Sequence, residues 1–235
     1  SLTRSAVFDK SFDVIIYMVM TFIGIITLYP FLNVLAISLN DATDSVRGGI
    51  YLWPRQFTLE NYKTIFLYNH LFVAFRISVM RTVIGTVLGV FCASMLAYTL
   101  SRTDFVARRL VSTMFAITMY VSGGMIPVYM LIRNLHLMNT FWVYILPGLV
   151  SAWNTFVIRS YMDGLPPSLQ ESAKLDGAND FVIFYKIIFP LCLPVVATIA
   201  LFIAVGQWNA WFDTFLYNSL RSDLTTLQYE LMKIL

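Results

Sequence analysis

Five predominantly apolar runs, each near the roughly 20 residues that carry a helix across a bilayer, constrain this chain more than any other feature. They fall at about residues 14–35, 73–100, 110–132, 141–161 and 187–207. Hydrocarbon offers no water to unpaired backbone groups, so spans of this kind are helical. The expected fold class is all-α: a polytopic transmembrane helical bundle forming a single domain over 1–235. Composition agrees, with 58% hydrophobic and 12% charged residues against about 25% charged in a typical soluble domain, and a mean hydropathy of +0.72.

Arg4 and Lys10 precede the first run as the basic region of a secretory signal would. The run is too long for a signal, no small-residue cleavage site follows it, and further spans come after. It reads as a retained transmembrane helix.

Several functions drop out on residue inventory. Cys92 and Cys192 both lie in apolar stretches, which gives no disulfide framework or thiolate site. His70 and His136 have no ligand partner at metal spacing. The formal charge of +3 is small and its basic residues are scattered, unlike the basic stripe of a nucleic-acid binder. No phosphate loop of the form G-x-x-x-x-G-K-S/T occurs, so any ATP hydrolysis belongs to another chain. A secondary carrier usually needs a carboxylate or an ion site within its spans, and none of the five has Asp or Glu near its middle.

Loop arginines set the orientation. Arg102, Arg108 and Arg109 crowd the link between the second and third runs, and Arg4 and Lys10 flank the first; both places are expected in the cytoplasm. The loop over 40–71 then lies outside, with Thr58 placed to cap a short surface helix, and the link over 165–186 lies inside. Arg76 and Arg81 fall in the outer part of the second span, where snorkelling or packing on a partner competes with a role in a water-filled path.

In the third run Ser122-Gly123-Gly124-Met125-Ile126-Pro127 breaks the helix, because glycine weakens it and proline removes a donor. A packing kink and a pore lining both fit. Tyr120, Ser122, Gly123, Gly124, Trp153 and Asn154 are the candidate translocation path, since aromatic faces beside hydrogen-bonding groups suit sugar rings. Trp208, Asn209 and Trp211 read as interfacial anchors or an external loop.

The segment from Leu165 to Lys186 is the most informative. Pro166-Pro167 stops a helix entering from upstream, and Ser168 with Glu171 has capping-box spacing. A helix is expected over 168–176, ended by Gly177, with Asn179 or Asp180 capping the next. A braced, protruding helix with two carboxylates and one lysine fits a groove in another protein better than a lipid surface, which favours a basic face.

These residues resemble the cytoplasmic signature of the membrane subunits of binding-protein-dependent (type I) ABC importers. That signature is Glu-Ala-Ala, three residues, Gly, nine residues, Ile-x-Leu-Pro. Glu171, Ala173, Gly177, Ile187 and Pro190 stand at those spacings, with Ser172 and Phe189 as departures. The chain is similar over nearly its whole length to the carbohydrate branch and the smaller maltose-importer permease. Tyr29-Pro30-Phe31, Ser38-Leu39-Asn40-Asp41, Trp53-Pro54, Phe57-Thr58-Leu59-Glu60-Asn61-Tyr62, the 122–127 break, Asp176-Gly177-Ala178-Asn179-Asp180 and Trp208-Asn209-Ala210-Trp211-Phe212 point to the complex-oligosaccharide and uronide subgroup.

The resemblance implies a multi-pass protein of the bacterial cytoplasmic membrane that carries no cofactor, with ATP and Mg on partner subunits. It implies a second homologous permease, two ATP-binding subunits, an extracytoplasmic solute-binding protein and an oligosaccharide substrate. Glu171, Ser172, Ala173, Lys174, Leu175, Asp176 and Gly177 would then couple to the ATPase, with Ala173 small so that the helix fits the ATPase groove. Such permeases usually carry a sixth span, which is expected beyond Leu235. Amino acids, peptides and polyamines are the alternative solutes.

Overall fold

The computed structural model describes residues 2–67 and 69–234. Side chains are described from Phe12 onward except at Phe66, Asn69 and His70, so the readings of Arg4, Lys10 and His70 lie outside the described residues. Where the sequence reads as one domain over 1–235, contacts divide the chain into two compact units, one ending at Asn69 and one beginning at His70.

The N-terminal unit is dominated by α1, Leu2–Ser38. From Phe12 to Ser38 it is long and apolar enough to span, with mean hydropathy 2.1. Its side chains are exposed almost throughout from Phe12 to Leu32. A helix apolar on all sides is at home in hydrocarbon or a protein interior. The short helices α2 (Ala42–Ser45) and α3 (Glu60–Leu67) follow. Thr58 accepts from the Glu60 N–H at 3.1 Å, so the expected surface helix forms where predicted.

Asn40 organises the loop between them. Fully buried, it accepts from the Gln56 N–H at 2.7 Å and donates to Asp44 at 3.0 Å. Asp41 caps α2 by accepting from the N–H groups of Thr43 and Asp44. Arg55 then pairs with Asp44 at 3.1 Å. A loop whose buried polar groups are all bonded is an ordered element, not a linker.

The second unit opens with α4, Asn69–Ser101, the other helix that alone qualifies as a span among the described residues. The third expected span, 110–132, is two helices. They are α5, Arg108–Tyr120, and α6, Met125–Asn134, bent by 119° across the glycines. Gly124 at φ +84° supplies a backbone shape that side chains disfavour. The fourth, 141–161, is not a continuous helix either. A 3₁₀ turn at Phe141–Tyr144 and a non-helical stretch through Pro147-Gly148 precede α7, Ala152–Met162, which is too short to span.

The coupling candidate is α8, Ser168–Leu175. The last apolar run is broken too. The sequence α9 (Asp180–Ile183), a π-turn (Phe184–Ile188) and α10 (Phe189–Leu191) meets α11 (Leu193–Asn209) at 83°. Pro190 and Pro194 lack the N–H groups that would carry the α-ladder through this corner. Beyond it lie α12 (Phe212–Tyr217), a 3₁₀ turn and α13 (Leu227–Ile234).

Two apolar clusters hold this unit. One joins Ala93, Ala97 and Tyr98 of α4 to Ile158 and Met162 of α7 and to Ile183, Phe184, Ile188, Cys192 and Ile199. The other gathers Ile77, Ile132, Val143, Tyr144 and Ile145. Small residues bring α4 against α11: a Cβ on Gly85 would lie 2.9 Å from the Gln207 amide, and one on Gly89 3.3 Å from Ile203. Such close approach is how helices associate where water supplies no hydrophobic drive.

Candidate coupling segment and translocation path

The helix α8 ends in a Schellman motif, as the glycine spacing predicts. Gly177 sits at φ +79°. Its N–H donates to the Lys174 carbonyl and the Ala178 N–H to the Ala173 carbonyl, both at 3.0 Å. These bonds satisfy carbonyls that the helix end would leave open. Asn179 accepts from the Val182 N–H at 2.9 Å and so caps α9. The chain therefore turns between two capped helices with one residue in left-handed backbone.

The other end differs from the expectation. Pro167 occupies the N-cap position, and no side chain caps there, so the Ser168–Glu171 capping box is not formed. A proline in helical backbone already continues into the first turn. That moves Ser168 inside the helix, where its hydroxyl no longer faces the free N–H groups.

Ala173 also corrects an expectation. It is buried, 7% exposed, within the first apolar cluster. Its small size is fitted to this chain's own core, whereas the resemblance assigned it to a partner's groove. The exposed residues of α8 are Ser168, Glu171, Ser172, Lys174 and Leu175, with Asp176 exposed just after it. Leu175 is 89% exposed, an apolar side chain standing free at the end of the helix.

Lys174, itself exposed, joins an ionic cluster that the sequence separates by up to 78 positions. Its ammonium lies 3.2 Å from Asp104. Arg102, only 10% exposed, pairs with Asp104 and, at 2.7 Å, with Asp180. The Tyr98 hydroxyl accepts from Arg102 at 3.1 Å, and the guanidinium lies 5.8 Å from that ring's centre. Hydrogen bonds from Arg102 and Lys174 hold the Asp104 carboxyl well below the usual carboxylate range. The bond to Asp104 raises Arg102 in turn. The depressed carboxyl is ionised wherever pH exceeds its usual value, so the cluster stays charged at any pH near neutrality. It ties the end of α4, the 102–104 link, α8 and α9 together. Beneath α8 lies a polar cleft of about 470 Å³ edged by Arg102, Arg108, Asp163 and Gln170.

The candidate path residues sit at helix breaks. Arg108 lies 3.7 Å and Arg159 3.4 Å from Asp163, and Arg159 donates to the Ser112 hydroxyl at 2.8 Å. Pairs 108–163 and 112–159 run in opposite senses, so α5 and α7 are antiparallel. That register puts Trp153 and Asn154, at the start of α7, level with the end of α5 near Tyr120. Tyr120 is 88% and Trp153 58% exposed, and Asn154 is half-buried. Ser122, Gly123 and Gly124 are exposed, and the Ser122 hydroxyl accepts from the Gly124 N–H at 3.3 Å. No hydrogen bond or ring contact joins the 120–124 group to Trp153 and Asn154 among the described residues. The two groups share a level and both border non-helical backbone.

One polar cluster has no counterpart in the sequence reading. Arg81 is 2% exposed and bonds Asp213 through both terminal nitrogens, at 2.6 and 3.2 Å. It also donates to Gln207 at 3.1 Å and stands 4.5 Å over the Tyr144 ring. Arg81 is therefore neither snorkelling nor open to a water path; it packs within its own chain. Asp213 lies 132 positions away, outside every apolar run, and nothing local links the two.

With this geometry in place, comparison with known proteins identifies the family. The model for "Binding-protein-dependent transport system inner membrane component" matches residues 85–212, from mid-α4 through the breaks and α8 into α12. The chain is 38% identical over 209 residues to the polygalacturonan/rhamnogalacturonan transport system permease protein YtcP of Bacillus subtilis, covering 89% of this chain and 73% of that one. It is 33% identical to the arabinooligosaccharides transport system permease protein AraQ of Halalkalibacterium halodurans, over 80% of this chain and 69% of the relative. A crystal structure of a bacterial ABC transporter involved in the import of the acidic polysaccharide alginate superposes with a TM-score of 0.84 at 27% identity, covering 96% of this chain and 80% of that one. The fold is thus that of an ABC importer permease, and the chain belongs to the family of binding-protein-dependent transport system inner membrane components.

Proposed function

We propose that the protein is one of the membrane-spanning subunits of an ATP-driven importer of oligosaccharides, acidic or pectin- and alginate-type fragments among them. The substrates for which its relatives are named support the solute class. A second homologous permease would supply the other half of the pathway, two ATP-binding subunits would drive it, and an external binding protein would deliver the sugar. The arginines at 102, 108 and 109 support a cytoplasmic position for α8.

The observation that carries the coupling role is the way α8 is held. It is stopped by Gly177 and pinned through Lys174, Asp104 and Arg102 to the ends of α4 and α9, while Ser172, Leu175 and Asp176 remain exposed. A helix clamped on one side and free on the other passes a push from a partner into the helices it is clamped to. Closure of the ATPases would move α8, and α4 with the α9–α11 corner would follow as one body. The broken backbone at 121–124 and 145–151 lines the solute path in this reading, because unpaired groups at membrane depth need a polar cavity.

Purified complex in proteoliposomes, supplied with its binding protein, tests this by ATP hydrolysis across neutral and uronide oligosaccharides. Stimulation by an oligosaccharide class is the expected result. A chain that copurifies with no ATP-binding subunit would contradict it.

A further inference from the structure

The groove between α5 and α7 carries an excess of positive charge at the end nearer α8. The volume there is about 630 Å³, and Arg108, Arg109, Arg159, Ser112, Thr113 and Phe156 border it. Two of the three guanidinium groups lie near a carboxylate, Asp163. Its contacts to Arg108 and Arg159 are loose, at 3.7 and 3.4 Å. Arg109 is exposed and has no carboxylate partner among the described residues. Loop arginines alone would satisfy the charge rule for membrane orientation. Arg159 comes from a different helix and is held toward the groove by its 2.8 Å bond to Ser112. Two helices thus direct cations into one open volume whose other walls are Thr103, Phe105, Val106 and Ala116.

The geometry points to this groove end as an exit site for acidic oligosaccharides, at which Arg109, with Arg108 and Arg159 beside it, receives a uronate carboxylate leaving the path. The assignment rests on the importer reading above. The antiparallel register of α5 and α7 sets Trp153 toward the Tyr120 end of α5, so a chain moving along this helix pair would pass from ring-stacking groups to guanidinium forks. A planar guanidinium matches a carboxylate with two parallel bonds. A neutral sugar gains nothing comparable there. The local surplus charge would hold an acidic fragment long enough to prevent return and, being open to solvent, weakly enough to release it.

The test is uptake of trigalacturonate and of its methyl-esterified, uncharged form by the reconstituted complex, with wild type, Arg109→Gln and Arg109→Lys. Arg109→Gln is expected to lower the acid-to-ester uptake ratio about tenfold, equal to about 1.4 kcal/mol, and Arg109→Lys to restore most of it. If only the acid is carried, the same loss in acid uptake and the same rescue are expected. Unchanged uptake in Arg109→Gln, or an equal fall for both sugars, would overturn the assignment. So would a wild-type protein that falls to the Arg109→Gln level when anionic phospholipid is omitted from the vesicles, since the arginines would then be binding lipid phosphate. A wild type that carries only neutral oligosaccharides would overturn this site and leave the importer standing. Absence of any associated ATPase would remove the importer reading itself.

Discussion

Replacing Gly177 with valine is expected to cut solute uptake about tenfold or more while the protein still inserts and assembles. No neighbouring atom lies within 4 Å of a Cβ built there, so room is not the issue. The cost is in the backbone: φ is +79°, and left-handed geometry costs an ordinary residue about 1–2 kcal/mol, more with β-branching. A difference of that size changes a conformational ratio about 5–30-fold. The strain is relieved by opening the two bonds that close α8, after which the helix end no longer points a fixed way. Gly177→Asn should retain most uptake, since asparagine tolerates left-handed backbone. Uptake assays on the three proteins, with membrane content measured by immunoblot, make the comparison. Wild-type uptake by the valine variant would dissociate the Schellman turn from coupling.

The second large effect concerns Arg81 and is expected in stability. Asp213→Ala leaves a cation, 2% exposed, without its counter-charge. Breaking a buried pair this way costs about 3–5 kcal/mol. Arg81→Met should cost less, because Asp213 is 24% exposed and can turn to water. The double variant Arg81→Met/Asp213→Ala should recover much of the loss, an interaction that a double-mutant cycle isolates. Thermal unfolding of the purified complex reads all four proteins. Equal, additive losses in the two single variants would mean that the pair is not energetically coupled.

How legible all this was depends on the range of the signal. The Gly177 stop, the Asn179 cap and the short helix after Thr58 were legible because each is decided within four residues by backbone shape and one side-chain bond. Pro166-Pro167 was legible as a barrier, but which residue becomes the cap depends on the backbone of Pro167, and the capping-box spacing at Ser168 misled. The apolar runs gave the fold class. They could not give continuity: hydropathy averages over Gly123-Gly124, Pro147-Gly148 and Pro190, so 110–132, 141–161 and 187–207 read as spans although the helix bends inside the first and last and gives way to non-helical backbone inside 141–161. The ionic cluster at Arg102 and the Arg81–Asp213 pair lay beyond sequence reasoning, since their partners meet only after α4 packs on the helices that follow. Ala173 shows the same limit: its pattern was legible, and only packing revealed that it is buried in its own chain's core.

The central claim is that the free side of α8 contacts an ATP-binding subunit. Leu175, 89% exposed, is the position to probe. With Leu175→Cys and an engineered cysteine on the ATPase, oxidation in the assembled complex should give a cross-link between the two chains that changes in yield when ATP is bound. A cysteine at 175 that forms no such cross-link and reacts with an impermeant thiol reagent added outside intact cells would place α8 on the wrong face and contradict the account.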